Sequence, residues 1–340
     1  MKISIDGGAL CAPPNAQYGT YRFSTELINA LKHYSELSYN VYTFCTIPVD
    51  PELRTNVHYK KLLPATAWMK ARVPLEEKFY PSDIFLGLNQ ALPLFSKSKL
   101  IAFSHGLSFL KFPELYKKDF PRLKKQLDDY LNRADAIVVS SRDVKKDMLE
   151  YAPDSKDRIH ILPFGLPQEY ENTSVLKVQK EPYFLYVGSE QPIKNLEVLF
   201  RVFGKLRKEE EYSHFSLKLV GTHFESLPKG VSQIEHAPLE KLQQLYGSAS
   251  AYVTTSLYES FNYPVVEALS LGCPVVGLRS AIIYEQRAFT HAAADENELF
   301  DFMHFAAGGS LPHIDRKALL QRFSWKSYVQ GLEKIYNKIS

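Results

Sequence analysis

A chain of 340 residues, 45% hydrophobic and 23% charged, is long enough for two domains, since a single core rarely grows past about 250–300 residues. Its formal net charge of +3 is too small to point to nucleic acid, and no nucleic-acid partner is expected. No stretch approaches the ~20 apolar residues needed to cross a bilayer, and the opening MKISIDGGAL does not read as a signal peptide, because Asp6 breaks its short apolar run.

Short apolar runs alternate with helical patterns along the chain, which predicts an α/β fold with parallel sheets. In the first half, strands are expected at Ile3–Ile5, Val41–Cys45, Ile84–Leu86, Leu100–Phe103, Ala136–Val139 and Ile159–Leu162. Helices are expected at Tyr21–His33, Pro121–Arg133 and Arg142–Glu150. Residues 167–181 lose the period and are rich in polar residues, as a linker is. A second series follows, with strands at Tyr183–Val187, Ser216–Val220, Ala251–Thr254 and Pro274–Gly277 and helices at Asn195–Lys208, Leu239–Ser248 and Pro264–Leu271. The expected domains are 1–166 and 182–322, with a closing segment 323–340. Two such domains form a cleft, and open α/β sheets bind ligands at the carboxyl ends of their strands.

Residues 1–165 hold 23 Lys/Arg against 18 Asp/Glu, a net of +5, and the remaining 175 hold 18 against 20, a net of −2. A mildly basic first half suits an anionic acceptor or a membrane surface, and equally suits scattered solvated charge. The aromatic and basic residues of Trp68–Tyr80 and Lys111–Lys125 are open to the same readings: an acceptor site, peripheral membrane contact, or a solvated helix face. Cys11, Cys45 and Cys273 match no metal spacing, and their odd number argues against a disulfide framework. All three are expected to be buried thiols, which fits a reducing cytoplasm.

The segment Ser256–Val276 carries the most chemistry. Glu259 stands in a loop after a strand, Pro264 opens a helix, Glu267 lies about one turn inside it, and Gly272 ends it. Carboxylates accept hydrogen bonds from paired sugar hydroxyls, and the N–H groups of Ser260, Phe261 and Asn262 at the helix entry suit an anion or sugar oxygens. Taken alone, acidic residues near a helix start also stabilise it, by about 0.3–1 kcal/mol. Upstream, YFLYVGSEQPIKN runs as strand, Gly188, polar loop, then Lys194 and Asn195 at a helix start. Gly188 would let the backbone approach a diphosphate, Ser189 offers a hydroxyl and Lys194 a point charge. A solvated lysine beside a helix cap is the plain alternative.

The wider pattern resembles glycosyltransferase family 4. Glu259 and Glu267, with seven residues between them and then ALSLGCPVV, are similar to that family's E-x7-E region. YVGSEQPIKN is similar to its Y-V-G-x-x-x-P-x-K-N stretch, and IAFSHGLSFLKFPELY to its H-D-L region, with His105, Leu107, Pro113 and Tyr116 in place. Gly19 and Tyr21 match its first loop. ADAIVVSSRDVKKDMLEYAPDSKDRIHILPFGL looks like its passage to the interdomain linker, and FSWKSYVQGLEKIY like its C-terminal helix, which crosses back to the first domain. The chain departs from the pattern at Gln17, Thr20, Gly106, Ser189, Ile193, Ser260 and Asn262.

The resemblance implies a GT-B fold, two Rossmann-like domains facing each other across a cleft, with the acceptor side in the first and the nucleotide-sugar in the second. It implies retaining transfer from a UDP- or GDP-sugar to a hydroxyl acceptor, as in polysaccharide or glycoconjugate synthesis, with no metal or other cofactor required. Glu259 would hold donor-sugar hydroxyls, Glu267 the ribose, and Lys194 the phosphates, while His105 would lie beside the sugar and Gly19 would give the backbone access to it. A weakened nucleotide-sugar-binding protein, or a same-fold epimerase or hydrolase, is the alternative. The expected location is the cytoplasm, at most peripheral on a membrane's inner face.

Overall fold

A computed structural model describes residues 1–13, 19–48, 55–171, 173, 179–312 and 315–340. Gln17 and part of the expected linker, residues 172 and 174–178, lie outside the described residues. The chain divides into two units, Met1–Gly165 with Ser324–Ser340, and Leu166–Phe323.

Unit 1 is built on seven parallel strands: β1 (Lys2–Asp6), β2 (Ser38–Thr43), β3 (Val57–Lys61), β4 (Ile84–Gly87), β5 (Lys99–Ser104), β6 (Ala136–Val139) and β7 (Ile159–Ile161). Their order is β3-β2-β1-β4-β5-β6-β7. β4 and β6 are buried along their whole length, as strands covered on both faces must be, so they read as continuous apolar runs. The edge strand β3, buried at Val57 alone, carries no such pattern and is not foreseen in the sequence. The helix Gly19–Tyr34 buries Phe23, Leu27, Ile28 and Leu31 at helical spacing. The last helix, Trp325–Ile339, belongs to this unit. Trp325 is fully buried there, against Phe23 and Phe164 at 6.2 and 6.5 Å between ring centres. Gly165 is required, since a Cβ there would stand 2.4 Å from the Trp325 ring.

Unit 2 has six parallel strands: β8 (Glu181–Val187), β9 (Ser216–Val220), β10 (Val231–Ile234), β11 (Ala249–Thr254), β12 (Val275–Leu278) and β13 (His291–Ala293). Their order is β10-β9-β8-β11-β12-β13. Both units are therefore doubly wound, as expected. The order reverses between β1 and β4 in one and between β8 and β11 in the other, the points where such sheets open a crevice at their carboxyl ends. Within the stretch expected as a linker, Gln168–Glu171 forms a helical turn, and Tyr170 is buried against Tyr246, 6.5 Å between ring centres.

The cysteine expectation is corrected. Cys11 and Cys45 form a disulfide, and only Cys273 of the three is a free, buried thiol. The pairing follows from topology: β1 and β2 run parallel with Asp6 opposite Tyr42, so the segments leaving their carboxyl ends emerge side by side. An odd count excludes a complete framework, not one bridge. The bridge also removes the redox argument for a reducing compartment. No described helix is long and apolar enough to cross a membrane.

Candidate functional site

The E-x7-E segment and the glycine loop meet at the reversal point of unit 2. The loop leaves β8 at Gly188, makes a short 3-10 turn over Pro192–Lys194, and enters the helix Leu196–Leu206. Between turn and helix stands Asn195, held left-handed at φ 53°. The loop after β11 lies against it. Leu257 N–H donates to Ile193 O at 2.8 Å, Asn195 Nδ2 to Thr255 O at 3.2 Å, and Thr255 Oγ1 to Asn195 O at 3.0 Å. These bonds fix Lys194 opposite Glu259, and its Nζ donates to Glu259 Oε1 at 2.7 Å. Ser256 Oγ donates to the same oxygen at 2.8 Å. The pair is 25% and 12% exposed, so it is partly shielded while an ammonium with three donors keeps two for a further ligand.

Gly188 has a positive φ of 153°, and a Cβ there would meet the Tyr186 hydroxyl at 2.6 Å. That hydroxyl donates to Ser189 O at 2.8 Å. The glycine thus admits an anchor from beneath, and the anchor fixes the loop that carries Ser189. Burial pushes the Tyr186 phenol well above its usual pKa, with the Glu259 and Glu190 carboxylates adding to it, so the hydroxyl stays a donor.

The helix Tyr263–Ser270 starts at Asn262, with Pro264 in its first turn. It ends in a left-handed Gly272 (φ 75°), and Gly272 N–H and Cys273 N–H close on Leu269 O and Ala268 O. Asn262 is in extended backbone, φ −91° and ψ 93°, and Ser260 is absent from the left-handed non-glycine positions of the described residues. Side chains in place of the family's glycines therefore fit without strain. Asn262 turns inward, donating Nδ2 to Thr254 Oγ1 and Ala281 O at 3.2 and 3.1 Å. Phe261 packs on Tyr263 and Phe323, at 5.0 and 5.8 Å between ring centres. Glu267 is 1% exposed and its Oε2 accepts from Tyr246 Oη at 3.0 Å. Burial raises the Tyr246 pKa, and the charge of Glu267 raises it further.

Gly188, Ser189, Lys194, Asn195, Glu259, Ser260, Phe261, Asn262 and Glu267 thus all belong to unit 2, on two loops and one helix entry. Gly19 and His105 belong to unit 1. Gly19 is the first residue of its helix, in open space. His105 follows β5, and its Nε2 lies 2.7 Å from Leu88 O. A carbonyl only accepts, so Nε2 carries the proton and Nδ1 is the acceptor. Burial lowers the imidazole pKa, which keeps the ring neutral, with Phe23 edge-on at 5.2 Å. Among the described residues, no cluster of three or more His, Cys, Asp or Glu could hold a metal ion.

Sequence reasoning missed the tyrosines beneath the site. Tyr186 and Tyr246 sit in ordinary strand and helix patterns, where nothing but the apolar period marks them.

Residues 181–306 match the family model described as "Glycosyl transferases group 1". The O-antigen chain mannosyltransferase B of Escherichia coli is 26% identical over 242 residues, covering 65% of this chain and 63% of that protein. The matched region thus spans less than two thirds of that relative's length. Among solved structures, sucrose-phosphate synthase from Thermosynechococcus elongatus is similar over 100% of this chain and 99% of its own, with a TM-score of 0.68 at 16% identity. HepE of Anabaena, in complex with UDP-glucose, covers 99% and 100%, with a TM-score of 0.68 at 15% identity.

Proposed function

We propose that this chain, a GT-B protein whose second unit belongs to the group 1 glycosyl transferases, moves a sugar from a nucleoside-diphosphate sugar to a hydroxyl acceptor with retained anomeric configuration, in glycan or glycoconjugate synthesis. One observation carries this reading: Lys194 and Glu259, 65 residues apart in sequence, are joined at 2.7 Å at the carboxyl edge of the sheet, at its reversal point. An ammonium beside a carboxylate suits a ligand that is anionic at one end and rich in hydroxyls at the other. A diphosphate bonded to a sugar is such a ligand.

In the proposed complex the diphosphate takes the two free donors of Lys194 and the N–H groups of Ser189 and Glu190, since those of Gly188, Lys194 and Asn195 already donate to Val220 O, Gln191 O and Pro192 O. As the sugar–phosphate bond breaks, charge builds on the leaving diphosphate, and these fixed donors stabilise it without reorganising. Glu259 accepts from donor-sugar hydroxyls while holding Lys194 in place, and Glu267 takes the ribose hydroxyls. Neutral His105, in unit 1, keeps Nδ1 as an acceptor for a sugar hydroxyl. The incoming hydroxyl attacks the face that the phosphate leaves, and its proton passes to a phosphate oxygen. No metal is assigned to this cycle, since Lys194 and the loop supply the positive potential. The mannosyltransferase relative and the neighbour solved with UDP-glucose support a nucleotide-sugar donor.

The test has two arms. Ligands that bind only the folded protein raise its melting temperature, so a panel of nucleotide-sugars read by thermal shift identifies the donor. NMR of the product with that donor then gives the anomeric configuration. Retention, and loss of transfer in Glu259→Ala, are expected. Undiminished transfer by Glu259→Ala overturns the site, and an inverted product overturns the mechanism.

A further inference from the structure

Unit 1 carries an unassigned polar cluster at its own reversal point. Asp6 ends β1 and is 1% exposed. Three N–H donors converge on its carboxyl group: Gly8 N–H and Trp68 Nε1 reach Oδ1, each at 3.0 Å, and Asn89 Nδ2 reaches Oδ2 at 3.0 Å. Burial pushes the carboxyl pKa up, against the pull of these three bonds. Gly8 N–H and Trp68 Nε1 can only donate, so Oδ1 serves them both as an acceptor. Trp68 and Asn89 are themselves partly exposed. Phe44 meets the Trp68 ring edge-on at 5.4 Å.

The backbone marks the same place. Among the described residues, three that are not glycine are left-handed: Ala67, Gln90 and Asn195, at φ 55°, 57° and 53°. Asn195 follows Lys194 of the donor site. Ala67 precedes Trp68, and Gln90 follows Asn89. Each such residue costs on the order of 1–3 kcal/mol, and they cluster where a ligand is held. Trp68–Arg72 is moreover a π-helix, a rare form found mostly at functional sites. This strain places an indole and an amide around one buried carboxylate. With its N–H tied to Asp6, the indole plane cannot turn. With Nδ2 tied to Asp6, the Asn89 amide turns Oδ1 away as an acceptor.

We propose that Trp68 and Asn89, held by Asp6, form the acceptor subsite, and that the acceptor is a saccharide. A pyranose ring lays its C–H face on the Trp68 indole, and one of its hydroxyls donates to Asn89 Oδ1. Asp6 is a positioning residue that fixes both groups. A phosphate group would meet the Asp6 charge at close range, whereas a neutral sugar does not. This inference rests on the transferase reading for its function, but the binding site stands by itself.

The probes are the methyl α-glycosides of mannose, glucose, galactose and N-acetylglucosamine, added to the full chain and read by saturation-transfer NMR. At least one is expected to receive saturation on its ring C–H groups. Trp68→Ala should weaken that glycoside by about 10–100-fold, the usual cost of truncating a central tryptophan, and Trp68→Phe should keep part of the affinity. Should the alanine variant not fold, Trp68→Phe and Asn89→Ala carry the same comparison. For Asp6 the signature is spectroscopic: in Asp6→Asn the indole N–H resonance of Trp68 moves and that of Trp325 does not. Nucleotide affinity of the Trp68 variants should equal that of the wild type. The proposal is overturned if no glycoside in the panel binds the wild-type protein, with or without nucleotide, or if Trp68→Ala binds as tightly as wild type. Failure of the wild type to bind any nucleotide overturns the transferase reading instead.

Discussion

The two sheets reverse strand order at matching places, yet the two reversal points are built from opposite materials. In unit 2 the loops after β8 and β11 are joined by a cation and a carboxylate, Lys194 and Glu259 at 2.7 Å, both partly open to solvent. In unit 1 the segments after β1 and β4 are joined by Asp6 and Asn89 at 3.0 Å, with an indole N–H as the other side-chain donor. One point offers a positive charge held by a carboxylate; the other offers an aromatic face tied to a buried carboxyl group. The same topology is thus fitted for an anion on one sheet and for a neutral ring on the other. The fold supplies the crevice, and a handful of side chains decide what enters it.

That contrast breaks first at Lys194. Lys194→Met keeps the length of the side chain and removes its charge, and the transfer rate should fall by about 10²–10³-fold, as when one fixed donor to a developing anion is lost. Steady-state rates with the donor found by thermal shift measure this; a fall in melting temperature alone would leave Lys194 a structural residue. The next effect belongs to unit 1, whose post-β1 segment is stapled to its post-β2 segment. For a sequence separation of 34, loop-closure entropy gives a stabilisation of about 4 kcal/mol, so Cys11→Ser should show a large drop in urea midpoint. Thiol titration of the unfolded, unreduced wild type should count Cys273 only.

Asp6→Asn sharpens the comparison further. It replaces an acceptor with an amide among three donors, leaving a buried N–H unpaired, at a cost of about 1–3 kcal/mol in chemical unfolding. Gly188→Ala should cost a similar or smaller amount, about 1–2 kcal/mol, and Tyr186→Phe in the same chain should recover part of it by vacating the clashing hydroxyl. An additive double mutant would contradict that account. The smallest effect is the pH dependence of His105. Its folded pKa is lowered below the ordinary 6.5 by burial, so the unfolded chain binds the proton more readily. The stability contribution is complete above about pH 6.5 and is lost as pH falls through the lowered folded value. Urea midpoints of the wild type should drop on acidification more than those of His105→Asn, whose amide can still donate to Leu88 O.

The legible part of the molecule was the part written locally. Glu259, Pro264, Glu267 and Gly272 lie on one loop and one helix, so their spacing alone places them, and the interior strands of both sheets read directly from their apolar runs. The edge strands β3, β10 and β13 did not, because half-exposed edges carry little period. The disulfide was hidden for a different reason: Cys11 and Cys45 are brought together by strand order, and neither has a local signal. Asp6 stood in plain view as the residue that interrupts an apolar run. Its meaning depends on Asn89 and Trp68, 83 and 62 residues away, and no spacing rule connects them. Tyr186 and Tyr246 read as core because they are core, and only coordinates show which polar atoms their hydroxyls reach.

Isothermal titration of UDP and GDP into the wild type, Lys194→Met, Glu267→Ala and Trp68→Phe tests the division of labour between the two reversal points most directly. The account predicts one nucleotide bound per chain, weakened by both unit 2 changes and untouched by Trp68→Phe. Equal affinity in all four proteins, or a loss confined to Trp68→Phe, would contradict it.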